Sequence, residues 1–167
     1  MTNVDTTDNY STGGAYNSMT IVRDGSGQLV GLKGEMCFAS WLAENRISYR
    51  HLGSEKGPYD FELSDGLTID VKTKLRSVPL RSHYEGHVTL DQKDYDCRLY
   101  VFANVTDDVA TLAGWTGKRE FWDVCKTYKE GETSDGEHIE LADAGKLMYS
   151  KMRPMSELLN HLKNLTN

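Results

Sequence analysis

The spacing of apolar residues changes several times along the chain, and each change marks an element. Over residues 34–45, Phe38, Trp41 and Leu42 recur at three-to-four-residue spacing without a later Gly or Pro, which predicts a helix. Short runs follow at 47–51, 59–63 and 67–73, each read as a strand. The last two are joined by Ser64-Asp65-Gly66, whose Asp-Gly pair favours a tight hairpin turn. In the third run Leu67, Ile69 and Val71 share one face, while Thr68, Asp70, Lys72 and Lys74 share the other. Residues 75–88 have no period and are read as an irregular loop. Thr89, with Gln92 three residues on, predicts a capped short helix to about residue 97. Strands are expected at 99–105 and 109–115, and a helix at 118–128. Residues 129–143 read as a loop with a strand at 138–141. A terminal helix is expected at 154–165, with Pro154 near its start and Leu158, Leu159, Leu162 and Leu165 on one side. Ahead of all this, residues 1–19 are polar and aperiodic, predicting a disordered tail, and 19–32 suggests a hairpin.

Helices therefore interleave with strands, and the expected fold class is α/β, a central mixed β-sheet flanked by helices. One domain is expected over 20–167, with a core at about 30–106 and an extension at 107–167; a chain of 167 residues suits that count. No apolar run approaches the roughly 20 residues of a membrane span, so no membrane partner is expected. The N-terminus has neither a basic start nor an apolar run, as a secretory leader would. Three widely spaced cysteines (Cys37, Cys97, Cys125) do not make a disulfide framework, so a reducing, cytoplasmic setting is expected.

A net charge of -6 argues at first against an anionic partner, but the charge is unevenly placed. Six acids and no Lys or Arg lie between Glu130 and Asp143, and the rest of the chain balances at 19 acidic against 19 basic residues. The stretch 71–87 holds Lys72, Lys74, Arg76 and Arg81 against Glu85 alone. A basic face can coexist with an acidic total. Lys33, Lys74, Arg76, Arg81, His83 and His87 are the candidate contacts to the phosphates of an anionic partner; their rival reading is a solvated surface.

Within the strands, Asp70-Val71-Lys72 sets a carboxylate and an ammonium side by side on one face. Pro58-Tyr59-Asp60 puts a second carboxylate on the neighbouring strand, where the hairpin folds it toward Asp70. Two carboxylates and a strand carbonyl form an all-oxygen set of the kind that suits Mg²⁺ or Mn²⁺. Glu35 falls on the apolar side of the first helix, where a carboxylate needs a partner. It is a third candidate acid, or else the partner of an arginine such as Arg50. Asp91-Gln92-Lys93 repeats the Asp-x-Lys spacing, but at a predicted helix start where Asp is favoured for capping; it is read as a decoy. No histidines and cysteines cluster at zinc-ligand spacing.

These residues resemble the PD-(D/E)xK nuclease superfamily, whose restriction-endonuclease-like core runs αβββαβ. Glu35 stands for the acid of its first helix, Pro58-Tyr59-Asp60 for its Pro-Asp element, with Tyr59 inserted, and Asp70-Val71-Lys72 for its (D/E)xK element. The compact order is similar to Holliday-junction resolvases and to small phage or restriction endonucleases. The resemblance implies a Mg²⁺-dependent (or Mn²⁺-dependent) deoxyribonuclease, with Asp60, Asp70 and the Val71 carbonyl holding metal, Lys72 orienting the attacking water and Glu35 assisting. It also implies a supporting role for Gln92. DNA is the expected partner, and a homodimer suits a junction or duplex substrate. The alternative is a nucleic-acid-binding or regulatory protein of the same fold without turnover.

Overall fold

A computed structural model of the chain describes residues 27–52, 58–134 and 138–165. The tail expected at 1–19 and the first arm of the expected hairpin lie outside these residues. The second arm is not a strand: Leu29 and Val30 belong to helix α1 (Gly27–Glu44), which begins seven residues earlier than the apolar spacing indicates. Strands β1 (Tyr49–His51), β2 (Phe61–Leu63) and β3 (Thr68–Leu75) follow, then β4 (Glu85–Thr89), β5 (Leu99–Thr106) and β6 (Val109–Gly117). The remainder comprises α2 (Lys118–Val124), β7 (Lys126–Tyr128), β8 (Thr133–Ser134), β9 (His138–Ile139), β10 (Ala144–Met148) and α3 (Met155–Leu165).

The architecture is α/β. A mixed five-stranded sheet has the order β1-β2-β3-β5-β6, antiparallel throughout except for the parallel β3–β5 pair. A second, antiparallel sheet, β4-β10-β7, was not expected from the sequence. The β5–β6 turn places Asp107 and Asp108 at φ 49 and 63, the left-handed pair that a two-residue hairpin needs and that Asp tolerates.

β5 explains the layering. Its continuous apolar run is buried on both faces, as a central strand requires. Leu99, Val101 and Ala103 join Phe38, Leu42, Ile69, Val71, Leu158 and Leu162 in a core beneath α1 and α3. Tyr100 and Phe102 point the other way, into a core with Val88, Phe121, Leu147 and Tyr149 beneath the second sheet and α2. Of the apolar side of α3, Leu158 and Leu162 are buried.

The helix expected at 89–97 is instead a single 3-10 turn, Leu90–Gln92, and Thr89 makes no side-chain capping bond. Two forces oppose an α-helix there. Thr89 is still paired with Ala144 of β10, and the next N–H, of Leu90, donates to the Asp143 carbonyl at 2.8 Å. Asp91, Asp94 and Asp96 also favour turns over a helix interior. The connection from β3 to β5 therefore runs through β4 and this turn.

α1 lies unusually close to β3. A Cβ on Gly34 would stand 1.8 Å from Thr73 Oγ1 and 2.9 Å from Thr73 Cβ, so only glycine permits this approach. The contact fixes the height of Glu35, the next residue, over the sheet.

Candidate active site

The β2–β3 hairpin positions the two aspartates. Gly66 takes φ 85 in the turn, and Asp65 Oδ1 accepts the Leu67 N–H at 3.0 Å. Phe61 pairs with Ile69, and Asp60, one residue before β2, donates its N–H to the Ile69 carbonyl at 3.0 Å. The Asp60 carbonyl accepts the Leu52 N–H at 2.9 Å. With its backbone held on both sides, Asp60 turns its carboxylate to the Val71 N–H, which donates to Oδ2 at 2.8 Å. Asp70, buried at 7% exposure, stands close enough to the Asp60 carboxyl to raise its pKa.

Lys72 follows Asp70 on the same strand face. Its Nζ lies 2.6 Å from Asp70 Oδ2 and donates to Gln92 Oε1 at 2.5 Å. The 3-10 turn thus delivers Gln92 to the lysine even though the expected helix is absent. Glu35 approaches from α1 and is paired with His51 of β1, Nε2 to Oε2 at 2.7 Å. Arg50, the alternative partner named for Glu35, instead donates to Glu62 at 2.7 Å. His51 is the site residue that the sequence reading missed. Its signal was strand alternation, which sets His51 opposite Phe61, next to Asp60.

Three elements therefore converge on one acidic centre. Burial, then the charges of Asp70 and Glu35, push the Asp60 carboxyl far above the usual carboxylate range, against the opposing pull of the Val71 N–H. The Asp60–Asp70 pair therefore favours holding a proton that an exposed pair of carboxylates would release. Hard carboxylate oxygens crowded to the point of retaining a proton fit a divalent cation, which would displace that proton. Among the described residues, however, no three His, Cys, Asp or Glu side chains already stand in ligating position. Asp70 Oδ2 is engaged by Lys72, and Asp60 by Val71 and Asp70. Loading a metal requires these contacts to open.

The raised Asp60 pKa makes a stability prediction. Below the pKa of an unfolded aspartate both states hold the proton. Above it the unfolded state ionises first, so stability declines as pH rises toward the folded-state pKa. Asp60→Asn keeps an acceptor for Val71 and supplies the donor for Asp70 without the charge. The metal-free variant is expected to melt about 3 °C or more above wild type near neutral pH, with the difference vanishing below about pH 4. Thermal melts across that range check it; a variant less stable than wild type at neutral pH would contradict the placement of Asp60.

The remaining candidates divide. Lys74 and Arg76 line a cleft of about 410 Å³ with His83, Tyr84, Glu85 and Lys146. Arg76 is already occupied, donating to Asn104 Oδ1 at 2.6 Å and to the Glu85 carbonyl at 2.9 Å. Arg81 and His83 are exposed, and the His83 ring packs edge-on against Tyr84. Lys33 is buried on Asp108 at 2.7 Å and lies outside the site. Burial raises the Cys37 thiol to about 11 and the Cys97 thiol to about 12, so neither is an activated nucleophile.

No family model matches this chain, and no curated protein matches it, leaving the geometry of these side chains as the ground for function. Among the described residues, no helix is long and apolar enough to cross a membrane.

Proposed function

We propose that the protein is a metal-dependent deoxyribonuclease of the PD-(D/E)xK type that hydrolyses phosphodiester bonds, acting as an endonuclease. The observation that carries this reading is the meeting of Asp60, Asp70 and Glu35, from three separate elements, with an ammonium bonded to Asp70. The order α1, β1, β2, β3, then β5 parallel to β3, is compatible with the restriction-endonuclease-like core, with a 3-10 turn where the second helix would stand.

When bound, Mg²⁺ or Mn²⁺ supplies charge stabilisation at the phosphate and acidifies a water. Asp60, Asp70 and the Val71 carbonyl are the groups that would hold it. Lys72, braced by Gln92, orients the attacking water, and its charge favours the developing oxyanion. Glu35, aligned by His51, acts on Asp60 through its charge and is the group that would accept a hydrogen bond from the attacking water. Lys74 and His83 line one cleft and Arg81 is exposed two residues before His83; these are the groups that would grip a DNA backbone.

One observation favours a second reading, a nucleic-acid-binding protein without turnover: Lys72 occupies the oxygen of Asp70 that a metal would use. A gel assay with Mn²⁺ against supercoiled, linear, single-stranded and branched DNA separates the two. Cleavage of any of these supports the nuclease. Retardation without cleavage supports the second reading, and neither result removes both.

A further inference from the structure

On the face of β3 that carries Asp70 and Lys72, the next side chain is Lys74. Two residues of strand span ~6.5 Å, close to one nucleotide step along a DNA backbone. Lys74 opens into the 410 Å³ cleft, whose other two cations are fixed. Arg76 is held by Asn104 and the Glu85 carbonyl, with its guanidinium 4.5 Å from the Tyr84 ring centre. Lys146, 4% exposed, is paired with Glu140. Lys74 has no hydrogen bond or ion pair among the described residues, although it is half-buried beside these two charges. Burial, then Arg76 and Lys146, push its pKa below the ordinary lysine range, against the smaller opposing pull of Glu140 and Glu85. In the same cleft Glu85 Oε2 is buried with no partner. An unpaired ammonium and an unpaired carboxylate oxygen share a cavity without meeting. Natural sequences tend to remove such features unless a ligand uses them.

We propose that this cleft binds the nucleotide next to the scissile phosphate, with Lys74 holding its phosphate and Glu85 accepting from a base amine or sugar hydroxyl. The location of the scissile bond rests on the nuclease reading; the phosphate site itself does not. The ligand chemistry is a phosphate anion flanked by a hydrogen-bond donor, whether at a strand end or within a strand.

The test compares wild type with Lys74→Gln, using fluorescence anisotropy of a short labelled duplex in Ca²⁺ over a range of salt. Loss of a charge-assisted contact is expected to weaken binding roughly tenfold. It should also flatten the slope of log affinity against log salt by about 0.9. Because Lys74 bonds to nothing among the described residues and Arg76 and Lys146 repel it more than Glu140 and Glu85 attract it, the melting temperature should hold or rise. Duplexes with 5′-phosphate and 5′-hydroxyl ends separate the two sources: equal losses place an internal phosphate in the cleft, and a loss confined to the phosphorylated probe places a terminal one. Unchanged affinity and slope overturn the proposal. So does a lower melting temperature, which would make Lys74 a structural cation. Lys74-dependent binding by a wild type that never cleaves in Mn²⁺ removes the nuclease reading and leaves the phosphate site standing. Cleavage by a wild type whose Lys74→Gln variant binds and cuts normally does the reverse.

Discussion

Asp70→Ala is expected to abolish metal-dependent cleavage, lowering the rate by roughly 10³-fold or more, the worth of several kcal/mol of metal-borne charge stabilisation. The fold should survive. The change removes the ion-pair partner of Lys72, but Lys72 keeps its bond to Gln92 and Asp60 loses a neighbouring charge. Stability should therefore fall by about 1–3 kcal/mol, within the ordinary range for point variants, and rates are scaled to the folded fraction. Cleavage of supercoiled DNA in Mn²⁺, read beside a urea melt, checks both halves. An alanine variant that cuts at near-wild-type rates would remove the site assignment, whatever its stability.

The second large effect distinguishes the two Asp-x-Lys sequences. Lys72→Ala is expected to cost about 10²–10⁴ in single-turnover rate, the usual loss for a water-orienting or acid–base group. Lys93→Ala should stay within a few-fold of wild type. Lys93 is exposed, and its ammonium sits 5.4 Å over the Trp122 ring, away from the acidic centre. The neighbour of Lys93 nevertheless matters: Gln92, in the middle of the decoy, is the brace on Lys72. Since Lys72→Ala leaves Asp70 buried without its ion pair, rates should be scaled to the folded fraction measured by circular dichroism. Equal rates for the two variants would mean that the wrong motif had been chosen.

The parts of the molecule legible in its sequence are those governed by local pattern. The alternation of β3 placed Asp70, Lys72 and Lys74 together on one face, and the Asp-Gly turn brought Asp60 back toward Asp70. Glu35 was marked by a carboxylate on an apolar helix face. Its partner, His51, was not legible because it depends on which side of β1 faces α1, which pairing with β2 decides. The start of α1 was obscured by Gly27 and Gly31, poor helix formers, and helix over that stretch is a tertiary outcome. The second sheet was invisible for a similar reason. β10 reads Ala144-Gly145-Lys146-Leu147-Met148, with no β-branched residue, and β4 contains Gly86 and His87; both strands exist because they pair with each other. The cleft beside Lys74 depends on that pairing, since Lys146 comes from β10 and Glu85 from β4. Its basic residues were legible as a charge run, but their division into braced and unpaired cations was not.

A divalent-metal site at the Asp60–Asp70 centre underlies every step proposed for this protein. Isothermal titration of Mn²⁺ into wild type and Asp70→Ala near neutral pH, in two buffers of different ionisation enthalpy, tests it most directly. Saturable binding to wild type with net release of protons is expected, because the cation displaces the one held by the Asp60–Asp70 pair, and no such binding to Asp70→Ala. No binding by wild type, or equal binding by both proteins, would contradict it.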